Sequence, residues 1–175
     1  MSQLPHTAAR YILDTNIWLD WFVFAHEADA PIAVLKQSLS EQQASVVMVQ
    51  AMWDEWVDVL GRAQFGIEPE RQADILVQTR ALVTWAPTPP TPFERIRCSD
   101  KDDQVFIDTA LALNVDWLIS KDKHLLSLRQ RAKKRGVQIA TPEQWVRMRG
   151  QMREQMSEQM LERASDAEMT GVAHA

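Results

Sequence analysis

The sequence contains very little cysteine and glycine. Cys98 is the only cysteine among 175 residues, which excludes an internal disulfide framework and a cysteine-built zinc site. The 5 glycines fall below the roughly 7% of average usage. The glycine-rich phosphate-binding patterns GxGxxG and GxxxxGK[ST] are also missing, so nothing supports a dinucleotide or P-loop site.

Long hydrophobic runs are missing as well. No apolar stretch approaches the roughly 20 residues that a membrane span requires. Asp14 and Asp20 interrupt the one N-terminal stretch that could imitate a signal peptide, and we therefore expect none. With 46% apolar and 25% charged residues, the composition is typical of a soluble globular protein. These features favour a cytoplasmic protein with one domain, or one domain plus a tail.

The chain is acidic overall, but its charges are unevenly distributed. The net charge of −5 argues against a nucleic-acid partner. Residues 121–135, however, carry a net +6 with Asp122 as the only acid. This basic segment is either a phosphate-binding surface or a solvated helix face whose cations suit the helix C-terminus. Its basic residues are Lys121, Lys123, Arg129, Arg131, Lys133, Lys134 and Arg135.

Strand and helix patterns alternate along the chain. Buried strands are predicted at 11–14, 46–49, 117–119 and 137–140 from their apolar, β-branched or aromatic residues. Helices are predicted from residue 15 or 16 to 23 and over 52–60, 70–82, 100–113 and about 125–136, with an extended proline-rich connector over 87–92. This alternation predicts an α/β protein with a parallel sheet. We expect a domain over residues 1–146 and a helical or partly disordered tail over 147–175.

Three carboxylates stand out by position. Asp14 closes the first predicted strand, and Asp122 follows the third. Asp103 lies in the first turn of a helix and projects with Phe106 and Ile107 towards the core side. Parallel strands place their carboxyl ends at one sheet edge, where α/β proteins bind ligands. Several carboxylates there would form an all-oxygen pocket suited to Mg²⁺ or Mn²⁺.

Each acid also has a purely structural interpretation. Asp14 could cap a strand-to-helix turn, Asp122 could be a turn residue, and Asp100 with Asp103 could form a capping box. Together they favour a metal site. A fourth acid is expected from the helix after the second strand, but periodicity does not separate Asp54 from Glu55, which flank the apolar stripe on opposite sides.

Four motifs in the same order resemble those of the PIN-domain nucleases, especially the VapC-like toxins of toxin–antitoxin systems. The first runs from Ile12 to Asn16, and the second from Glu55 to Arg62. The third, from Asp100 to Ala112, continues through residues 116–126, and the last is Thr141-Pro142-Glu143. The resemblance covers about residues 10–146 and selects Glu55 over Asp54.

The resemblance implies a three-layer α/β/α domain with a central parallel sheet and a Mg²⁺- or Mn²⁺-dependent ribonuclease activity. The metal-binding and catalytic acids would be Asp14, Glu55, Asp103 and Asp122, supported by hydrogen bonds from Asn16 and Ser120. Expected partners are the RNA substrate and a cognate antitoxin that blocks the site. Lys101 stands where the family often has proline, and the tail is longer than usual, so a homodimer contact, an antitoxin contact and disorder all stay open for it.

Two other functions are compatible with parts of this pattern. One is a non-catalytic PIN-like module that binds RNA or protein, against which the retention of all four acids counts. The other is a phosphoryl-receiver domain, which expects adjacent acids near the first strand, whereas Thr15 and Asn16 follow Asp14 here. Among the tryptophans, Trp53, Trp56 and Trp117 lie in core-patterned segments, which favours packing over base stacking.

Overall fold

Five short parallel strands form the central sheet of the described chain. The computed structural model describes residues 8–24, 27–28, 30–41, 44–90 and 94–171. The strands are β1 (Arg10–Leu13), β2 (Ser45–Met48), β3 (Val83–Trp85), β4 (Trp117–Ile119) and β5 (Gln138–Ala140). Their order is β3-β2-β1-β4-β5, and every neighbouring pair is parallel. The parallel sheet predicted from the sequence is therefore confirmed.

Helices cover both faces of this sheet. Consecutive residues of a strand point to opposite faces of the sheet. Because Tyr11, Ile12 and Leu13 are all buried, both faces of β1 are covered. The architecture is the three-layer α/β/α arrangement expected from the resemblance. The helices are α1 (Thr15–Phe22), α2 (Pro31–Glu41), α3 (Gln50–Leu60), α4 (Pro69–Leu82), α5 (Gln104–Ala112), α6 (Lys123–Leu126), α7 (Arg129–Lys133) and α8 (Pro142–Gly171), with a 3₁₀ turn at Ala63–Phe65.

The observed elements differ from the predicted ones in four places. Helix α2 and edge strand β3 were not predicted. Helix α5 begins at Gln104 rather than at residue 100, since residues 101–103 form turns. The predicted basic helix is two short helices, and the Ser127 hydroxyl at the break donates to the carbonyl of His124, which competes with continued helix formation. Residues 87–90 of the proline-rich connector are neither helix nor strand, and residues 91 and 92 lie outside the described residues.

The C-terminal helix begins with a capping box. Thr141 Oγ1 accepts a hydrogen bond from Gln144 N, and Gln144 Oε1 accepts one from Thr141 N, each at 3.2 Å. Pro142 occupies the first helical position, where its missing N–H is not needed. Helix α8 then continues to Gly171, so the tail is helical through that residue. The division into residues 1–146 and 147–175 stays a prediction, and residues 1–7 and 172–175 lie outside the described chain.

Tryptophan side chains fill much of the core. Trp56 and Trp117 are buried as predicted, whereas Trp53 is only partly buried and packs against Trp85 on the edge strand. Trp145 of α8 is buried with its ring edge against Tyr11 of β1, at a centroid distance of 6.3 Å. This contact joins the first turns of α8 to the sheet domain. None of the helices in the described segments has the length and apolar character to cross a membrane.

A buried hydrogen bond connects α3 to α4. Trp56 Nε1 donates to Thr79 Oγ1 at 3.2 Å, and both side chains are fully buried. We expect Thr79→Val, which keeps the side-chain shape, to lower the free energy of unfolding by about 1–3 kcal/mol because the indole N–H loses its acceptor. Urea unfolding measures this change. In a Trp56→Phe background the effect should shrink, and an equal loss in both backgrounds would show that this hydrogen bond is not its cause.

Candidate active site

The carboxyl ends of β1 and β4 bring the first pair of site residues together. Asp14 follows β1 and Ser120 follows β4, and the two strands are neighbours in the sheet. Asp14 N donates to Ile119 O at 3.0 Å, which extends the strand pairing by one residue. The side chain of Asp14 is only 3% exposed. The sheet therefore holds a buried carboxylate at the edge where the sequence predicted a site.

Hydrogen bonds fix the orientation of the Asp14 carboxylate. Its Oδ2 accepts from Ser120 Oγ at 2.5 Å and from Asn16 Nδ2 at 2.6 Å. Ser120 Oγ in turn accepts from Asp122 N at 2.9 Å, and Asn16 Oδ1 accepts from Lys121 N at 3.2 Å. Asn16 and Ser120 thus both donate hydrogen bonds to Asp14. They tie the end of β1 to the loop between β4 and α6.

Helix α3 contributes Glu55 to the same edge. Glu55 Oε1 accepts a hydrogen bond from Thr15 Oγ1 at 2.7 Å, and the side chain is partly buried. Asp54 is exposed, and its Oδ1 accepts from Gln50 on its own helix. The structure therefore separates the two acids that periodicity could not. The sequence pattern indicated residue 15 only as a possible helix start, and the position of Thr15 next to Asp14 was the available signal for a role in the site.

The third and fourth acids lie at two helix starts. Asp122 caps α6, with Oδ1 accepting from His124 N at 2.6 Å. Asp103 precedes α5 without a side-chain capping bond, and its Oδ2 is buried with no hydrogen-bond partner in the described chain. The capping-box alternative is wrong, since Asp100 Oδ1 accepts from Asp102 N and α5 begins only after Asp103. Asp103 is thus a partly buried acid whose Oδ2 atom takes no part in capping α5.

Burial and the charges of neighbouring acids raise the pKa values of Asp14, Glu55 and Asp103. Burial raises the pKa of Asp14 to about 6, and the charge of Glu55 adds to this while the Ser120 hydrogen bond opposes it. Burial also raises the pKa of Asp103, and the charges of Asp14 and Asp122 push it further up. Burial raises the pKa of Glu55 as well, against the Thr15 hydrogen bond. The four side chains are therefore close enough to act electrostatically as one acidic cluster.

The donor atoms of this cluster suit a hard divalent cation. Carboxylate and hydroxyl oxygens are ligands that Mg²⁺ and Mn²⁺ prefer, and the unpartnered Asp103 Oδ2 is an oxygen for which a cation would compensate. No three His, Cys, Asp or Glu side chains converge as a ready ligand set in the part of the chain that the structure describes. The residues fit such a cation by chemistry, and several side chains would have to approach one another to bind it.

The basic segment does not form a single surface. Lys121 forms an ion pair with Asp20 of α1, and Arg135 lies 3.8 Å from Glu94. Arg129 and Lys133 lie on one side of α7, while Arg131 lies on the opposite side at helical spacing. Lys123 and Lys134 are exposed. Of the seven predicted RNA-binding residues, Lys121 and Lys123 therefore lie next to the acidic cluster in the chain, and Arg129 and Lys133 form a separate group.

The raised pKa of Asp14 predicts how the free energy of unfolding of the protein in EDTA depends on pH. When the pKa of an acid is higher in the folded state than in the unfolded state, the unfolded state loses its proton first as the pH rises. The free energy of unfolding therefore falls between the two pKa values. We expect wild type to lose about 2–3 kcal/mol of unfolding free energy relative to Asp14→Asn between about pH 4 and pH 7. Urea unfolding at several pH values measures the difference. The exposed Asp54→Asn control should follow wild type, and parallel wild-type and Asp14→Asn profiles would contradict the burial argument.

Comparison with known families agrees with this arrangement. The PIN domain family matches residues 10–124, more than half of the 175-residue chain and the segment that contains Asp14, Glu55, Asp103 and Asp122. No curated protein shows significant similarity to the chain. The family supports a nuclease domain. By this match, and with an all-parallel sheet that carries acids at its carboxyl edge, the chain belongs to the PIN domain family, whose members are generally metal-dependent nucleases.

Proposed function

We propose that this protein is a metal-dependent endoribonuclease that acts as the toxin of a type II toxin–antitoxin pair. The observation that carries the proposal is the acidic cluster of Asp14, Glu55, Asp103 and Asp122, in which burial and repulsion raise the pKa of Asp14 and Asp103. Such a cluster is unfavourable in isolation, and a bound divalent cation would relieve it. The family match supports the nuclease part of the proposal.

The four acids would hold Mg²⁺ or Mn²⁺ in this proposal. When bound, such a cation orients a water and stabilises charge on the phosphodiester oxygens during an in-line displacement. Asp14 is the fixed member of the set, because Ser120 and Asn16 hold its Oδ2. Thr15 orients Glu55 through Oε1 and leaves Oε2 as a second acceptor. Asp103 supplies the one buried oxygen in the cluster that has no donor.

The RNA substrate and the antitoxin are proposed from the charge distribution and from the family resemblance. RNA as substrate is favoured by the basic residues next to the cluster and by the resemblance to VapC-like toxins. The antitoxin, a homodimer contact and a cytoplasmic location follow from that resemblance alone. A reading frame for a small DNA-binding protein next to this one would support the toxin role. Purification of the protein in a complex with that product would support it further.

A non-catalytic RNA- or protein-binding module is the second candidate. It is favoured by one observation: no three acidic or histidine side chains converge as a metal site among the described residues. The buried Asp103 Oδ2, which has no hydrogen-bond partner among the described residues, argues against it. Burying such an oxygen is unfavourable, and a module that only binds RNA or protein gains nothing that would offset this cost. The two candidates differ in one measurable property, which is Mg²⁺-dependent turnover.

An RNA cleavage assay tests the proposed function. Wild type should cut single-stranded RNA with Mg²⁺ or Mn²⁺ and lose activity in EDTA. Asp14→Asn should lower the rate by at least about 100-fold, the size expected for removing one charge-stabilising group, while circular dichroism shows a folded protein. The matched control is Asp54→Asn, which removes a neighbouring exposed acid and should retain activity. Cleavage that survives both EDTA and Asp14→Asn would exclude this site as the nuclease centre.

A further inference from the structure

A second concave site lies on the far edge of the sheet. Helices α7 and α8 and edge strand β5 line a half-open pocket of about 310 Å³. This size is at the lower end of small-ligand sites in proteins. The cavity is lined by Arg129, Gln130, Lys133, Gln138, Ile139, Gln144, Arg147 and Met148, which we call the β5 pocket. None of the four acids of the proposed active site lines it.

The charge of the β5 pocket is of one sign. Arg129, Lys133 and Arg147 bring three cations together, and no acid is among the lining residues. Among the described residues none of these three cations forms an ion pair. Within the described part of the chain, the only hydrogen bond that their side chains form is from Arg129 Nε to the carbonyl of Leu126, at 3.3 Å. Three cations at one pocket repel one another. An anion that binds between them would offset this repulsion.

The neutral groups of the pocket add hydrogen-bond donors. The Oε1 atom of Gln144 accepts from Thr141 N in the capping box. The NH₂ group of the same side chain supplies two donors. Gln130 and Gln138 supply two further carboxamides. Ile139 and Met148 provide apolar surface beside them.

The free edge of β5 provides a backbone donor as well. Gln138 N donates to Asp116 O, and Ala140 O accepts from Ser120 N, each at 3.0 Å. Alternate residues of a strand direct their backbone groups to the same side, so the N–H and C=O of Ile139 face away from β4. Strand β5 pairs only with β4 in the described sheet. The Ile139 N–H is therefore a donor at the free edge of the strand, where the pocket lies.

We propose that the β5 pocket binds a backbone phosphate of single-stranded RNA and anchors the strand beside the acidic cluster. The proposal rests on the proposed function for the identity of the polyanion. Positioning supports it, because β5 is separated from β1 by β4 alone. Two strand spacings of roughly 4.8 Å each lie between them, which is within reach of one RNA strand. Arginine and lysine side chains with amide donors are the usual phosphate-contacting groups of nucleic-acid-binding proteins.

Equilibrium binding of a fluorescent single-stranded RNA 12-mer to the full chain tests the pocket. Asp14→Asn serves as the background, so that cleavage does not interfere. In this background, Lys133→Gln with Arg147→Gln should weaken RNA binding at least about tenfold near 0.1 M salt and reduce the salt slope by about 0.7 for each phosphate that the variant no longer neutralises. The matched control is Arg131→Gln with Lys134→Gln, which removes the same charge outside the pocket and should change affinity much less.

The outcomes separate this proposal from the nuclease proposal. Equal losses for the pocket and control variants would assign the effect to net charge and overturn the pocket. Unchanged RNA binding, or preferential binding of a poly-glutamate peptide that the pocket variant loses, would overturn RNA as its ligand. If wild type binds RNA through the pocket but never cuts it, the nuclease proposal fails while the pocket stands. If wild type cuts RNA and the pocket variant binds it normally, only the pocket proposal fails.

Discussion

The buried carboxylate of Asp14 is the constraint on which the site depends. It sits at the end of the central strand β1, nearly free of solvent, and its position is set by the pairing of β1 with β4. Burying a charge is unfavourable unless it is paired or hydrogen-bonded. Ser120, Asn16 and the neighbouring backbone supply part of that compensation, but the other acids lie close enough to oppose it. The same residue thus completes the sheet edge and concentrates the electrostatic strain that a cation would relieve.

The fold was predictable from the sequence where burial was complete on both faces of a strand. This applies to β1, β2 and β4, which are short apolar runs. Among the helices, the predicted ranges of α3 and α4 agree closely with the observed ones. Helix α2 was not predicted because Ser38 occupies a buried position beside Leu35 and Leu39 and interrupts the apolar stripe. Strand β3 was not predicted because it is a three-residue edge strand directly after α4, and its residues Thr84 and Trp85 are not buried. Short edge strands of this kind carry no alternation long enough to detect.

The site was predictable as a set of acids at one sheet edge, since strand ends carry that information. The choice between Asp54 and Glu55 needed the family resemblance, and the structure gives its physical basis in the Thr15 hydrogen bond. The grouping of Arg129 and Lys133 with Arg147 was not predictable, because Arg147 lies on a different helix and is 14 or more residues further along the chain. Patterns within one segment report local faces of a helix. They do not report which faces of separate helices meet.

The contacts of Lys121 divide the acidic cluster into a rigid half and an adjustable half. Its backbone N–H binds Asn16 while its ammonium binds Asp20, so one residue clamps α1 to the loop after β4. Asp14 and Ser120 belong to that clamped half. Asp103 instead ends a series of turns before α5, and its carboxylate has no capping bond to restrain it. Rearrangement on ligand binding is therefore expected in the turn before α5, with the strand ends acting as a fixed template.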